Sequence, residues 1–442
     1  MVTKNALRTI ISQWIQIELP FTIPRKVKIP TDLPVIISIL GPRRAGKTFL
    51  MYDTIKEILK VAPKENVLYV NFENESLLGL EVIQLNDLLT IFRELSHPRS
   101  NYPVYLFLDE IQVVENWSKW VNRLYENKGF RLFISGSSSK LLSSELSTEL
   151  RGRSIDFVIL PLSFREFLSV KNVEVPNNQS ILFSEKRGEY LSFLTEYVKY
   201  GGFPEVVLMN AFKGSVLKSY LDTTVIKDVG ERFKIEPSVL KVFVYYCLKS
   251  YTKQISGMKV YNYLKTLHYS VSHDLPLKLV EAFTEVFFLH TTEIYSSSFK
   301  NAAQYPKKLY LVDTGAVNEI TQQVEIGKCM ENVTFQHLFG LVHEEGIIVN
   351  YWKEYGKAEG LEVDFVISDT NGVRELINVT YASSLEEINA REIKSLKKAS
   401  RELKCNNLTI LTWDYFETGE IKYIPLWYWL LNNQTFKNIQ IN

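Results

Sequence analysis

Cysteine is scarce: Cys247, Cys329 and Cys405 are the only three in 442 residues, with no Cys-x-x-Cys pair among them. An odd, scattered set gives neither a disulfide framework nor a structural zinc site, so the three read as small buried hydrophobes. The six histidines lack the His-Glu-x-x-His and His-x-His spacings of metal enzymes and read as core or surface residues. No apolar run approaches the ~20 residues that a membrane helix needs, and the N-terminus lacks the basic-then-apolar pattern of a signal peptide. These absences predict a cytoplasmic chain with no membrane partner. An excess of one charge is missing too. With 51 Lys and Arg against 50 Asp and Glu, the formal net charge is +1, so any polyanion must be met by a local patch.

What is present is globular: 46% of residues are apolar and 23% charged, enough to build packed cores. The length exceeds the ~100–200 residues of an ordinary domain, so two or three domains are expected. An amphipathic opening (Leu7, Ile10, Ile11, Trp14, Ile15) and an extended, proline-punctuated stretch from Pro20 to Pro34 lead to a buried strand, Val35–Leu40, which stops at Gly41. A helix is predicted from Lys47 to about Leu59. The strand signal repeats at Val67–Phe72, Val104–Asp109, Arg131–Ser135 and Asp156–Leu160; with helical patterns between the runs, this means a parallel sheet covered on both faces. Residues 163–235 turn helical around Gly201-Gly202-Phe203-Pro204 and read as a lid. Residues 236–315 give short helices, alternation around Val286–His290 and Thr292–Tyr295, and Leu309–Val312, the order of a winged helix-turn-helix. Residues 316–442 return to α/β, with strands at Ile347–Trp352, Glu362–Ile367, Glu375–Thr380 and Leu408–Trp413.

Gly41-Pro42-Arg43-Arg44-Ala45-Gly46-Lys47-Thr48 satisfies G-x-x-x-x-G-K-S/T between a buried strand and a helix, the context that a phosphate-binding loop requires. Its glycines let backbone N–H groups face the phosphates of ATP, Lys47 reaches the β and γ oxygens, and Thr48 offers its hydroxyl to Mg²⁺. Phe49, next on the helix, completes the cradle. Tyr105-Leu-Phe-Leu-Asp109-Glu110 supplies the second half. Asp109 is placed to hold Mg²⁺ through water, and Glu110 to orient and deprotonate the attacking water, which predicts hydrolysis. Glu73 and Glu75 either add to the acidic rim or cap the helix after them. Ser137, in Ser135-Gly136-Ser137-Ser138, senses the γ-phosphate or sits in a plain turn. Arg153, in Arg151-Gly152-Arg153, is either an arginine finger for a neighbouring subunit or a local salt bridge.

These residues, with Leu108-Asp-Glu-Ile-Gln112, Gly201-Gly-Phe-Pro-Glu205 and Lys308-Leu-Tyr-Leu-Val-Asp313, resemble the prokaryotic AAA-type ATPases that carry a C-terminal PD-(D/E)XK nuclease-like domain of unknown function. Order and spacing fit over nearly the whole chain. The resemblance implies an α/β fold class: a P-loop NTPase core of AAA+ type (1–162), a helical lid (163–235), a winged helix (236–315) and a PD-(D/E)XK-like domain (316–442). It also implies assembly into homo-oligomers, a hexameric ring among them. The nuclease fold holds a metal with a helix-borne Glu, a strand Asp and a Glu-x-Lys on the next strand. By resemblance Glu331 and Asp364 take the first two places. Asn378 and Thr380 stand where the last acid and the lysine belong, which predicts a degenerate nuclease. Glu375, three residues before Asn378, points to the opposite face.

For DNA, the winged helix offers Lys259, Lys265, Lys278, Lys300, Lys307 and Lys308, and the last domain a helical stripe of Arg391, Lys394, Lys397, Lys398, Arg401 and Lys404. Such stripes follow a phosphate backbone or are merely solvated faces. The leading expectation is an ATP hydrolase that uses Mg²⁺, binds DNA and remodels or moves along it. An ATP-gated endonuclease, and a signalling or defence ATPase with a protein partner, are the alternatives.

Overall fold

The buried runs of the first 160 residues form five strands in the computed structural model: β1 (Ile36–Leu40), β2 (Val67–Asn71), β3 (Val104–Asp109), β4 (Phe130–Gly136) and β5 (Ser154–Val158). The structure describes residues 2–138, 150, 152–175, 182, 185–209, 211–296, 305–354 and 360–432. All five strands are parallel, in the order β2-β3-β4-β1-β5. That order sets β4 between β1 and β3, so the carboxyl ends of these three strands finish side by side. The P-loop, Asp109-Glu110 and Ser135 meet there, although they are far apart in sequence. Every residue of β1 is buried, whereas β5 lies at the edge and leaves Ile155 41% exposed. The opening helix, Lys4–Gln16, is capped by the Thr3 hydroxyl and buries Leu7, Ile11 and Trp14, the i, i+4, i+7 stripe of one helical face. Trp14 Nε1 fastens it by donating to the Val67 carbonyl at 2.6 Å.

The chain divides into two compact units, Met1–Leu160 and Pro161–Asn442. The second begins with helices: Phe164–Val170, started by a Ser163/Glu166 capping box, and Arg187–Tyr200, stopped at Gly201, whose φ is +76°. The Gly201–Pro204 turn is explained by Asp313. Its carboxylate accepts from Gly202 N at 2.7 Å and Gly315 N at 2.8 Å, and a Cβ on Gly201 would stand 1.7 Å from Asp313 Oδ1. Two motifs far apart in sequence are thereby one clasp. Burial pushes the Asp313 carboxyl up to about 7 against the lowering pull of its two amide donors.

A carboxyl raised in the folded state favours folding when protonated. Its contribution is whole below the unfolded value of about 3.9 and is lost as pH rises through about 7. Asp313→Asn keeps one acceptor but turns an amide nitrogen toward the other N–H, at a cost of about 1–3 kcal/mol. Thermal midpoints are expected to show the wild type's advantage over this variant shrinking between about pH 4 and 7. An advantage constant across that window contradicts the assignment.

Helix Pro237–Ser250, β6 (Gln254–Ile255), helices Gly257–Thr266 and Leu275–Glu285, β7 (Leu289–Thr292) and β8 (Lys307–Leu311) follow, with the strands in one antiparallel sheet ordered β6-β8-β7. The alternation expected from Val286 to Tyr295 narrows to β7, which pairs antiparallel with β8. Val286–Phe288 form the turn after the helix Leu275–Glu285, where Phe287 reverses the chain at φ +58°. Three buried apolar residues in a row cannot distinguish a helix end from a strand.

The last sheet runs β13-β12-β11-β10-β9, from β9 (Ile348–Lys353), β10 (Glu362–Asp369), β11 (Gly372–Val379), β12 (Leu408–Thr412) and β13 (Lys422–Pro425). β9, β10 and β11 are antiparallel, and β11, β12 and β13 parallel. Helix Ile326–Glu345 precedes the sheet in sequence, and helix Ala390–Leu403 joins β11 to β12. The three cysteines are free and buried, as expected. Among the described residues no helix is long and apolar enough to cross a membrane.

Candidate nucleotide site

At the end of β1 the chain leaves the sheet through Gly41, whose missing side chain is a steric necessity: a Cβ there would lie 2.0 Å from the Ile159 carbonyl oxygen. Arg44 and Gly46 then take positive φ, 62° and 98°, curling the loop into the helix Lys47–Ile58. Lys47 is 5% exposed and reaches back across the loop. Its Nζ donates to the carbonyls of Gly41 and Pro42, each at 3.1 Å, and lies 3.3 Å from Glu110 Oε1. The ammonium therefore rests among oxygens at the mouth of the cradle, where a phosphate would claim it. Ala45 is buried and Phe49 is 51% exposed, turned outward. Arg43 forms a bidentate pair with Glu73, at 2.7 and 3.2 Å, so Glu73 belongs to the loop's charge network.

Asp109 and Glu110 diverge because Glu110 sits at φ +55°, a left-handed conformation uncommon for non-glycine residues. The Asp109 carboxylate accepts from the hydroxyls of Thr48 at 2.7 Å and Tyr69 at 2.7 Å, and from that of Ser135. The Glu110 side chain turns instead to Lys47 and to Gln112, whose Nε2 donates at 2.5 Å. Burial acts to raise the Glu110 carboxyl, but Lys47, Gln112 and Arg43 outweigh it and hold it below the ordinary carboxylate value. Ser135 accepts from Glu110 N at 2.9 Å, so one hydroxyl braces both acids.

Thr48 and Asp109 present abutting oxygen donors, which suits a hard cation such as Mg²⁺. Among the described residues no group of three or more His, Cys, Asp or Glu could hold a metal alone. Mg²⁺ is usually held by one or two carboxylates together with substrate phosphates.

A family model described as "AAA domain" matches residues 34–168. Two further models, each described as a domain of unknown function (DUF8612 and DUF4143), match residues 192–325 and 326–429. Uncharacterized protein MJ1544 of Methanocaldococcus jannaschii is 34% identical over 437 residues, covering 96% of this chain and 91% of the relative. The chain belongs to its family. An uncharacterized protein of Haemophilus influenzae is 30% identical and covers 91% of this chain and 95% of its own. Among solved structures, the Aeropyrum pernix ORC2 protein in ADPNP-ADP complexes is 11% identical, with 75% of this chain and 92% of that chain covered, at a TM-score of 0.37. A likeness at that score is too remote to bear on function. The AAA domain, its parallel sheet and its P-loop make the first unit an AAA-type P-loop NTPase fold.

Around the AAA domain's site, the other expected residues have these surroundings. Ser137 is partly buried, and the serine that touches the acids is Ser135. Arg153 takes the local alternative: it pairs with Glu126 at 3.1 Å and lies over the Tyr125 ring at 5.2 Å. Arg151 and Lys300 fall outside the described residues. Tyr69, Gln112 and Arg25 were not foreseen; Arg25 donates to the Ala45 carbonyl in the loop and to the Leu160 carbonyl, each at 2.8 Å.

In the second unit the DNA candidates divide. Lys394 is exposed, Lys307 pairs with Glu293 at 2.8 Å, and Lys398 pairs with Glu354 at 2.5 Å. Lys308 is corrected outright. It is 2% exposed and lies among Glu331, Glu362 and Asp364, so it does not offer its charge to a ligand outside. Glu375, as expected, stays apart and accepts from Thr409 at 2.6 Å.

Proposed function

We propose that the AAA domain hydrolyses ATP and that the rest of the chain couples this to DNA, which it binds and remodels or moves along. The observation that carries the hydrolytic half is the Lys47–Glu110 pair. Lys47 neutralises Glu110 and keeps it a weak base. Phosphate oxygens would draw the Lys47 ammonium to themselves, and Glu110, buried and relieved of its main counter-charge, would become more basic where water must be deprotonated. Arrival of the substrate thus arms the base. Thr48 and Asp109 would hold Mg²⁺, whose positive charge there would offset that of the phosphates; Tyr69 and Ser135 fix the Asp109 carboxylate for that task.

The DNA half is supported by the helix–strand–helix–helix–strand–strand order of residues 237–311, which reads as a winged helix. Exposed Lys394, Arg401 and Lys404 on or beside the helix Ala390–Leu403 add a cationic face. A protein partner is the second reading. It is favoured by the carboxylates that already neutralise Lys278, Lys307, Lys397 and Lys398. Homo-oligomers, a hexamer among them, belong to the first reading. ATP turnover measured with and without duplex and single-stranded DNA, over a salt series, separates the two. The DNA reading expects stimulation that fades as salt rises, and no stimulation together with no salt-dependent binding sinks it.

A further inference from the structure

Glu331 and Asp364, which the resemblance gives to a nuclease metal, together with Glu362 hold a lysine of a neighbouring sheet. The Lys308 ammonium, on β8, lies 2.8 Å from Glu331 Oε1, 2.9 Å from Glu362 Oε1 and 2.8 Å from Asp364 Oδ1. An ammonium has three N–H donors, and each has a carboxylate. Glu362 and Asp364 are two apart on β10 and so face one way, toward Glu331 on the helix Ile326–Glu345. Glu331 and Asp364 each accept one further bond. Tyr310 donates to Glu331 Oε1 at 2.9 Å and Val379 N to Asp364 Oδ2 at 3.0 Å. Asn378, where a third acid would stand, braces the strand: its Oδ1 accepts from Asp364 N at 3.1 Å, and its amide donates to Glu392 and Ser395. Burial pulls the Lys308 ammonium down, but the surrounding acids prevail and hold it well above its ordinary value.

A nuclease metal does not fit this arrangement. Mg²⁺ takes near-octahedral oxygens at about 2.0–2.1 Å, whereas these oxygens close around an ammonium, and the lysine and acid of the third strand are absent. We propose that Glu331, Glu362 and Asp364 form a socket for Lys308, an internal charge latch that fastens the β6-β8-β7 sheet to the C-terminal α/β domain in place of metal-dependent cleavage. The latch is independent of ATP hydrolysis. It is made of a pair type whose breakage is costly, because removing one member strands buried charge of the other sign.

Hydrogen exchange of the full chain tests it. Lys308→Met is expected to speed exchange of the β8 amides and of the helix Ile326–Glu345 by roughly a hundredfold. Adding Glu331→Gln and Asp364→Asn to that variant is expected to restore most of the protection, since the more buried stranded charges are then gone and Glu362, the remaining one, is partly exposed. If Lys308→Met does not fold, Glu362→Gln, at the partly exposed corner of the socket, is expected to raise β8 exchange by about fivefold. Unchanged exchange in the variant that folds overturns the latch. So does Mn²⁺ binding, or Mn²⁺-dependent plasmid cleavage, by the wild-type chain that is lost in Asp364→Asn.

Discussion

Glu110→Gln is expected to lower ATP turnover by about 10²–10⁴-fold while ATP affinity stays within a few-fold of wild type. Gln has the shape of Glu and can still meet Lys47 and Gln112 through its oxygen, so the loop that Lys47 spans should keep its form. What is lost is the ability to take a proton. The substitution also removes the negative charge that competes with phosphate for Lys47, so affinity should hold or tighten slightly. Turnover at saturating ATP and a titration of ATP binding check both halves. Lost affinity with turnover per bound ATP preserved would make Glu110 a structural residue.

Gly41→Ala is expected to destabilise the AAA domain by roughly 3 kcal/mol or more and to abolish ATP binding. The added carbon would stand 2.0 Å from the Ile159 carbonyl oxygen, in a place where Ile159 N already donates to Leu40 O at 2.7 Å. Neither backbone can retreat without opening the junction from which the loop springs. Gly79→Ala serves as the control: its φ is +76°, but nothing lies within 4 Å of the added carbon, so only the left-handed conformation is penalised, at about 1–2 kcal/mol. A melting curve and an ATP titration on each variant compare them. Equal effects would assign the need for Gly41 to backbone freedom alone.

The nucleotide site was legible because its residues are local. One strand, one loop and one helix start place Gly41 to Thr48, and one strand end places Asp109 and Glu110. Tyr69 was not, since it reaches Asp109 only through the register of β2 against β3, which pairs Asn71 with Asp109. Arg25 lay hidden for the same reason, in a proline-punctuated stretch with no periodicity to place it. Lys308 failed differently. Lysine is ordinarily a surface residue, and Lys307-Lys308 looks like the tip of a basic wing. Yet strand alternation sets Lys308 on the face of Tyr310, which is fully buried and bonded to Glu331. That face pointed inward, to acids that only tertiary folding brings near. The Gly201–Pro204 turn was visible as a turn but silent about its purpose until Asp313, more than a hundred residues on, met it.

Phosphate release from ATP by the full chain with Mg²⁺, wild type beside Lys47→Ala, tests the central claim most directly. The geometry of Lys47 between the loop carbonyls and Glu110 predicts steady release by the wild type and release at background in the variant. No release by the wild type, or equal release by both, would contradict it.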